Sequence, residues 1–230
     1  MKSYGQFCPV AKAAEILAER WTPLIVRELL MGSTRFSQIE CGVPGIPRSL
    51  LSQRLQALAR AGIVALCGEG RSRSYELTQA GQELFEVIER LGEWGQRWVN
   101  TEFKPEEVVD ASLLMWDMRR RINWKDVPER RITVGFSIDG AKHESWLVLD
   151  RGEASVCLHD PGFPVDLEVC ADTLSLHRLW MGHLDYASAL RAGLIRVEGP
   201  RHLARGFPRW LQLSYFSHVP PAPQAVSLVT

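Results

Sequence analysis

The sequence predicts an α+β protein of two domains, and two observations support this prediction. The first hundred residues read as helices interrupted by one short pair of strand-like segments. From Arg131 the hydrophobic period changes from 3.6 residues to two, and strand-like runs then alternate with helical ones. A chain of 230 residues is also long for one compact domain. We predict domains at 1–100 and 107–220, with the polar, Pro-containing stretch 101–107 as linker.

Composition indicates a folded chain with one basic region. The residues are 46% hydrophobic and 23% charged, which is ordinary for a globular protein. Lys plus Arg and Asp plus Glu both number 27, so the whole chain is not a general polyanion binder. Between Arg20 and Tyr75, however, the sequence contains eight arginines and only three glutamates. This segment therefore predicts a local cationic surface.

Cysteine usage and missing motifs narrow the function class. The five cysteines are scattered and form no CxxC, which is typical of reduced thiols in the cytoplasm. We see no signal peptide and no apolar run long enough for a membrane span, so we expect a cytoplasmic protein without a membrane partner. Neither a nucleophile elbow nor a phosphate-binding loop is present, and the six histidines lack metal-ligand spacing. We expect no enzyme activity, no catalytic residue, no cofactor and no metal.

Three helices and a hairpin are predicted in the first domain. The first helix covers 10–19, and the second begins after Thr22 as N-cap and ends at Gly32. A short helical turn at 35–39 is followed by a helix that starts near Pro47. Two strands at 63–67 and 73–77 then flank the glycine-rich tip GEGRS. This order of elements is that of a winged helix-turn-helix.

The helix after Pro47 has the two faces that a DNA-recognition helix needs. Leu51, Leu55 and Leu58 repeat at helical spacing and form an apolar face. The other face carries Ser, Gln and Arg side chains, which reach phosphates or base edges, and two arginines stand at the hairpin tip. Arg54 lies beside the apolar face and could instead pair with a Glu on a neighbouring helix. The predicted DNA-binding residues are Arg35, Pro47, Arg48, Ser49, Ser52, Gln53, Gln56, Arg71 and Arg73.

A long helix with a heptad seam is predicted over 79–99, capped by Thr78. Such a seam indicates a helix that packs on a partner, so we expect a homodimer. The predicted dimerisation residues are Leu84, Val87, Leu91, Trp94 and Trp98. The alternative is that the seam packs against the chain's own first helix.

Residues 8–99 resemble the HxlR-type winged-helix regulators. The resemblance is carried, in order, by CPV (8–10), RWTPLIVREL (20–29), RFSQI (35–39), GIPRSLLSQRLQALARAGIV (45–64) and YELTQAG (75–81). It implies a homodimer that binds an inverted-repeat operator in double-stranded DNA. Cys8 stands where this family often carries a redox- or electrophile-sensing cysteine. The chain departs from the family pattern at Pro47, where Ser or a similar residue is common, and in its roughly 130 further residues.

Residues 107–215 resemble the sterol-carrier-protein type of α+β fold. The resemblance rests on PVDLEV (164–169) and on DTLSLHRLWMGHLDYASALRAGLIRVEG (172–199). It implies a mostly antiparallel, five-stranded sheet with helices over one face and a pocket for a small apolar ligand. The candidate pocket residues are Trp116, Phe136, Trp146 and Trp180, since aromatic side chains make adaptable pocket walls. The alternative is that these residues are ordinary core.

Together these features predict a DNA-binding transcription regulator whose second domain responds to a small apolar ligand. Two alternatives stay open at the level of sequence. The first is a thiol-based redox or electrophile sensor that acts through Cys8. The second is that the second domain carries lipid or supports dimerisation, with no signalling role.

Overall fold

A computed structural model describes residues 3–99, 111–139 and 145–223, apart from the side chain of Arg71. The chain divides into two compact units, Met1–Gly95 and Gln96–Thr230, here called the first and second unit. The first unit ends inside the long helix, a few residues before the boundary predicted at 100. The predicted linker at 101–107 lies outside the described residues.

The first unit is helical apart from one hairpin. Its helices and strands are α1 (Pro9–Leu17), α2 (Thr22–Leu30), α3 (Phe36–Gly42), α4 (Arg48–Arg60), β1 (Val64–Cys67), β2 (Ser74–Leu77), α5 (Gln79–Gln82) and α6 (Leu84–Trp98). Helix α6 runs past the end of the first unit by three residues. Its start differs from the prediction, because the helix expected over 79–99 is interrupted at Glu83.

The predicted N-cap of α2 is wrong. Trp21, not Thr22, stands at that position, with a left-handed φ of 78° and no side-chain cap bond. Thr22 is the first helical residue and is buried. Pro23, which fits the first turn because it needs no N–H partner there, follows directly. By contrast, Thr78 does cap α5, since its Oγ1 accepts from the Gly81 amide at 3.2 Å.

The core of the first unit forms where α2, α3 and α4 meet. Leu51, Leu55 and Leu58 of α4 are fully or almost fully buried, so the predicted apolar face is confirmed. They pack in one cluster with residues of α2 and α3, including Ile25 and Ile39. Burial of such side chains stabilises by about 1.5–3 kcal/mol each, so α4 is held by its apolar face.

Strands β1 and β2 form the predicted wing. They pair antiparallel, with Val64 opposite Leu77 and Cys67 opposite Ser74. A short 3-10 turn at Gly70–Ser72 lies at the tip. The amide of Tyr75 donates to the carbonyl of Thr34 at 2.8 Å, which ties β2 to the segment before α3.

The second unit is α+β. Its elements are α7 (Ala111–Met118), β3 (Ile132–Ile138), β4 (Ser145–Asp150), β5 (Glu153–Cys157), β6 (Leu167–Ala171), α8 (Thr173–Trp180), α9 (Tyr186–Arg191), β7 (Ile195–Glu198) and α10 (Arg201–Gly206). The sheet order is β5-β4-β3-β6-β7, and every pair is antiparallel except β3 with β6.

Strand β3 lies at the centre of this sheet. Ile132, Val134, Phe136 and Ile138 are buried in the core of the unit. Thr133, on the other face, is also buried at 1% exposure, so β3 is covered on both sides at this end. Asp172 caps α8, with Oδ1 accepting from the Ser175 amide at 2.7 Å. None of the helices within 3–99, 111–139 and 145–223 has the length and apolar character to cross a bilayer.

Candidate nucleic-acid interface

Helix α4 presents a polar face to solvent. Ser49, Gln53 and Gln56 are exposed and Ser52 is half-buried, while the opposite face is packed into the core. Pro47, at the N-cap, is exposed with φ −61° and ψ 134°. Polar side chains on the exposed side of a firmly packed helix can contact base edges or phosphates without any change in the packing of that helix.

Arg48 begins α4 and is held by α3. Its Nη1 lies 3.0 Å from Glu40 Oε2, and its guanidinium lies 5.2 Å from the centre of the Phe36 ring. The side chain is still 72% exposed. An exposed ion pair of this kind contributes little to stability but limits the directions that the guanidinium samples.

Arg54 does not belong to this face. Its Nη2 donates to Glu19 Oε2 at 2.7 Å and its Nε to the Arg20 carbonyl at 3.3 Å. The side chain therefore links α4 to the end of α1, as the sequence suggested when it placed Arg54 beside the buried Leu55.

Arg35 was predicted as a DNA contact, which stays a prediction, and in the structure its side chain also binds the wing. Its Nη1 donates to two wing carbonyls, those of Ser72 and Arg73. The Arg35 amide is in turn bound by the Gln38 side chain at 3.0 Å, at the start of α3. Arg35 thus fastens the wing tip to α3. The two hydrogen bonds join Arg35 to residues that lie 37 and 38 positions further along the chain, so local sequence patterns cannot reveal them.

Of the two wing arginines, the structure describes one side chain. Arg73 is exposed directly before β2, beside the tip. The side chain of Arg71 lies outside the described part of the chain, so its predicted role stays a prediction. Arg60, at the end of α4, is a further exposed arginine of the basic segment.

The sequence analysis missed a buried carboxylate between α2 and α3. Glu28 of α2 is fully buried; its oxygens lie 3.0 Å from Arg27 Nη2 and 3.2 Å from Ser33 Oγ. Arg27 Nη2 also donates to the carbonyl of Gly42 at 2.8 Å. A Cβ at Gly42 would lie 1.8 Å from Glu28 Oε2, so any larger residue there must displace the Glu28 carboxylate. The network joins α2 to the end of α3, directly before α4.

The predicted dimerisation seam lies at the surface of the protomer. Val87, Leu91, Trp94 and Trp98 are between 41% and 58% exposed. Leu84, at the start of α6, packs partly against the core of the first unit. The exposure of the other four argues against the alternative that the seam is covered by the chain's own first helix, which has no buried residue itself.

In the second unit, an apolar cavity of about 240 Å³ lies between α8, α9, β6, β7 and the segment after α10. Of the four predicted pocket residues, Trp180 lines it and the other three do not. Trp116 is stacked on Arg119 at 3.6 Å, Phe136 is packed in the core 6.3 Å from Phe207, and Trp146 is buried on β4. Residue type alone could not separate pocket walls from core.

Comparison with known proteins identifies the first unit. Residues 16–103 match the family described as HxlR-like helix-turn-helix. Over 103 residues the chain is 37% identical to the uncharacterized HTH-type transcriptional regulator YvaP of Bacillus subtilis, covering 43% of this chain and 95% of YvaP. The chain belongs to the HxlR-like helix-turn-helix family. As a member of that family it is a DNA-binding transcription regulator, which confirms the prediction made from the sequence.

Further relatives of this HxlR-like regulator match the same region. The uncharacterized HTH-type transcriptional regulator Mb3122 of Mycobacterium bovis is 40% identical over 93 residues, which are 39% of this chain and 58% of that protein. The solved reduced form of the transcriptional regulator YodB from B. subtilis is 29% identical and covers 40% of this chain and 93% of YodB. Its TM-score of 0.35 is too low to support an argument about the fold. The relatives are named as regulators and not as enzymes, in agreement with the sequence analysis.

Proposed function

We propose that this HxlR-like regulator binds an inverted-repeat operator as a homodimer, with α4 of each protomer in the major groove and the wing on the adjacent backbone. The observation that carries the proposal is the exposed polar face of α4, which stands next to a wing fixed by Arg35. The apolar side of α4 is fully used for packing, so its polar side is the one available to a duplex.

Side-chain chemistry divides the contacts into two groups. Arg48 and Gln53 are suited to base edges, because Arg binds guanine and Gln binds adenine with two parallel hydrogen bonds. Ser49, Ser52 and Gln56 supply neutral donors for phosphate or base oxygens, and exposed Pro47 fits against the backbone at the start of α4. Arg71 and Arg73 on the wing contact phosphates, which gives affinity without sequence preference.

A homodimer follows from the unpaired seam on α6. Isolated large apolar side chains are common at protein surfaces, whereas a row of them along one helix marks an interface. Val87, Leu91 and Trp94 recur at helical spacing on the exposed side of a 15-residue helix. A second copy of the same helix is the partner that the heptad pattern favours, and a two-fold dimer matches an inverted repeat.

The DNA part is tested by fluorescence anisotropy on duplexes enriched from a random library with the full-length protein. We expect one inverted-repeat motif to emerge, and log affinity to fall linearly with log salt. Gln53→Ala changes the preferred motif, whereas the exposed residue Gln82→Ala, at the end of α5, is a matched control that leaves it intact. Failure to enrich any motif, or identical motifs from Gln53→Ala and the parent, would overturn the assignment of α4.

We further propose that the second unit is a sterol-carrier-like domain that holds a small apolar ligand and thereby modulates DNA binding. Support comes from the five-stranded, mostly antiparallel sheet and from the apolar cavity beside α8 and α9. Modulation requires that the ligand bind the DNA-competent and DNA-incompetent states with different affinity. This step is tested by measuring operator affinity with and without each ligand that binds. If the two affinities are equal for every ligand, the second unit has a carrier or dimerisation role without signalling.

A thiol switch is the second candidate function. Cys8 is exposed at the N-cap of α1, so an oxidant or electrophile can reach it. Under this proposal Cys8→Ser keeps operator affinity constant under diamide, while Cys41→Ser, another exposed cysteine, still releases DNA. Release of DNA by Cys8→Ser under oxidant removes this candidate.

A further inference from the structure

The cavity of the second unit has mostly apolar walls, and its polar lining residues are Asp185, Tyr186 and Gln212. Aliphatic and aromatic side chains from six elements or their flanking segments line it, among them Leu176, Trp180 and Ile195. At about 240 Å³ it is larger than the roughly 150 Å³ cavity that admits benzene in an engineered apolar core. A molecule with two fused rings is therefore of the right size.

One charged side chain, Asp185, contributes to the lining. Its carboxylate caps α9 by accepting from the Ser188 amide at 2.9 Å. The hydrogen bonds from Ser188 lower the pKa of Asp185, so the group carries a negative charge at neutral pH. Because none of the described lining residues is Lys, Arg or His, the cavity offers no cation to a carboxylate or phosphate. Desolvation in the apolar cavity disfavours an anionic ligand, and repulsion from the solvent-exposed Asp185 carboxylate adds a smaller, screened contribution.

One buried hydroxyl at the cavity lacks a partner. Tyr186 is a lining residue, and its phenol oxygen is buried with no hydrogen-bond partner among the described residues. An unsatisfied buried hydroxyl is costly, and native structures seldom keep one without a reason. Burial raises the pKa of Tyr186, so the group stays a neutral O–H donor.

The ring of Tyr186 is held in place by aromatic neighbours. Its centroid lies 6.3 Å from that of Phe207 in an edge-on arrangement, and Phe207 is packed in the same way on Trp210 at 5.7 Å. Both neighbours are almost fully buried. Such a cluster limits rotation of the phenol ring, so the buried hydroxyl is held in one position.

We propose that this cavity binds a small, uncharged, largely apolar molecule with one acceptor oxygen, such as a ketone, ester or ether, and that the Tyr186 hydroxyl donates to that oxygen. The inference rests on the proposed ligand-binding function of the second unit and makes it specific. It selects neutral acceptor ligands over both plain hydrocarbons and anionic lipids.

Three probes of nearly equal size separate these classes by isothermal titration calorimetry on the full-length protein without DNA. They are 2-acetylnaphthalene, 2-ethylnaphthalene and 2-naphthoate, measured at pH 7.5. We expect the ketone to bind about 5–10-fold more tightly than the hydrocarbon, because one hydrogen bond to a buried donor increases affinity by about that factor. The carboxylate binds at least about tenfold more weakly than the ketone.

Tyr186→Phe removes the hydroxyl and keeps the ring. It abolishes the preference for the ketone over the hydrocarbon, while Tyr215→Phe, a tyrosine outside the cavity lining, retains it. Without ligand, Tyr186→Phe melts at the same or a higher temperature than the parent, because it deletes an unpaired buried donor. The comparison of the three probes on the parent protein stands even if a variant fails to fold.

The possible failures are distinguishable. If the hydrocarbon and ketone bind the parent equally, or Tyr186→Phe keeps the preference, the role of Tyr186 is refuted while the ligand-binding function stands. If 2-naphthoate binds most tightly, the charge argument from Asp185 is refuted. If none of the three probes binds, both this inference and the proposed ligand-binding function fail.

Discussion

Replacing Gly42 by alanine is the sharpest test of how the first unit holds α3 against α2. The added methyl group would stand 1.8 Å from Oε2, 2.0 Å from Cδ and 2.5 Å from Oε1 of Glu28. All three distances are far below van der Waals contact, and Glu28 is fully buried. The carboxylate must therefore leave its place beside Arg27 and Ser33.

The size of the effect follows from the interactions that are lost. Glu28 is fully buried and Arg27 is 27% exposed, so separating them costs at most about 3–5 kcal/mol, the value for a buried charge that loses its partner. The better helix propensity of alanine recovers about 0.5–1 kcal/mol. A net loss of about 2–4 kcal/mol corresponds to a fall in melting temperature of roughly 10–25 °C for a domain of this size.

Differential scanning calorimetry of the full-length protein measures this change in the transition of the first unit. Gly95→Ala in α6 is the matched control, since a Cβ there has no described atom within 4 Å; we expect it to be neutral or slightly stabilising. Adding Glu28→Ala to Gly42→Ala should cost far less than Glu28→Ala alone, because the two changes act on one network. A Gly42→Ala protein that melts within about 2 °C of the parent would refute the reasoning.

Four further predictions concern DNA binding and assembly. Arg73→Ala should weaken binding to all duplexes and reduce the slope of log affinity against log salt by about one; an unchanged slope would contradict its placement on phosphate. Gln53→Ala should cost about 1–3 kcal/mol on the preferred operator and little on random DNA, and equal losses on both would remove it from base recognition. Arg35→Gln, which loses the bonds to the wing carbonyls, should lower affinity about 3–10-fold on every duplex with the motif unchanged; unaltered anisotropy titrations would show that the wing is fixed by other contacts. Leu91→Glu should give monomers in sedimentation velocity, since it places charge in the centre of the exposed seam; an unchanged dimer would move the interface elsewhere.

Local pattern was enough to predict the element order of the first unit. The apolar spacing of Leu51, Leu55 and Leu58 depends on helix geometry alone, and the glycine-rich tip between two short strands depends on turn chemistry. The same holds for the cap at Thr78, whose hydroxyl accepts from the amide three residues on. Such features involve neighbours along the chain, so they are readable before folding.

The alternating period also indicated strands in the second half, and the sheet has the expected mostly antiparallel pairing. The period did not reveal that Thr133 is buried as well, because burial of the second face depends on which strand becomes central. Nor did local pattern identify the N-cap of α2, because Trp21 adopts a left-handed conformation that residues other than glycine seldom take.

What the sequence determined by itself is the amphipathic helix α4, the wing and the family resemblance, since each depends on residues close together in the chain. Tertiary structure alone decided which of the predicted side chains make contacts within the protein. It assigned Arg35 to the wing backbone and Arg54 to Glu19. It placed Gly42 against Glu28 and left Phe136 in the core, away from the cavity. The physical reason is that these contacts join segments about 14 to 71 residues apart, and the chain must fold before they exist.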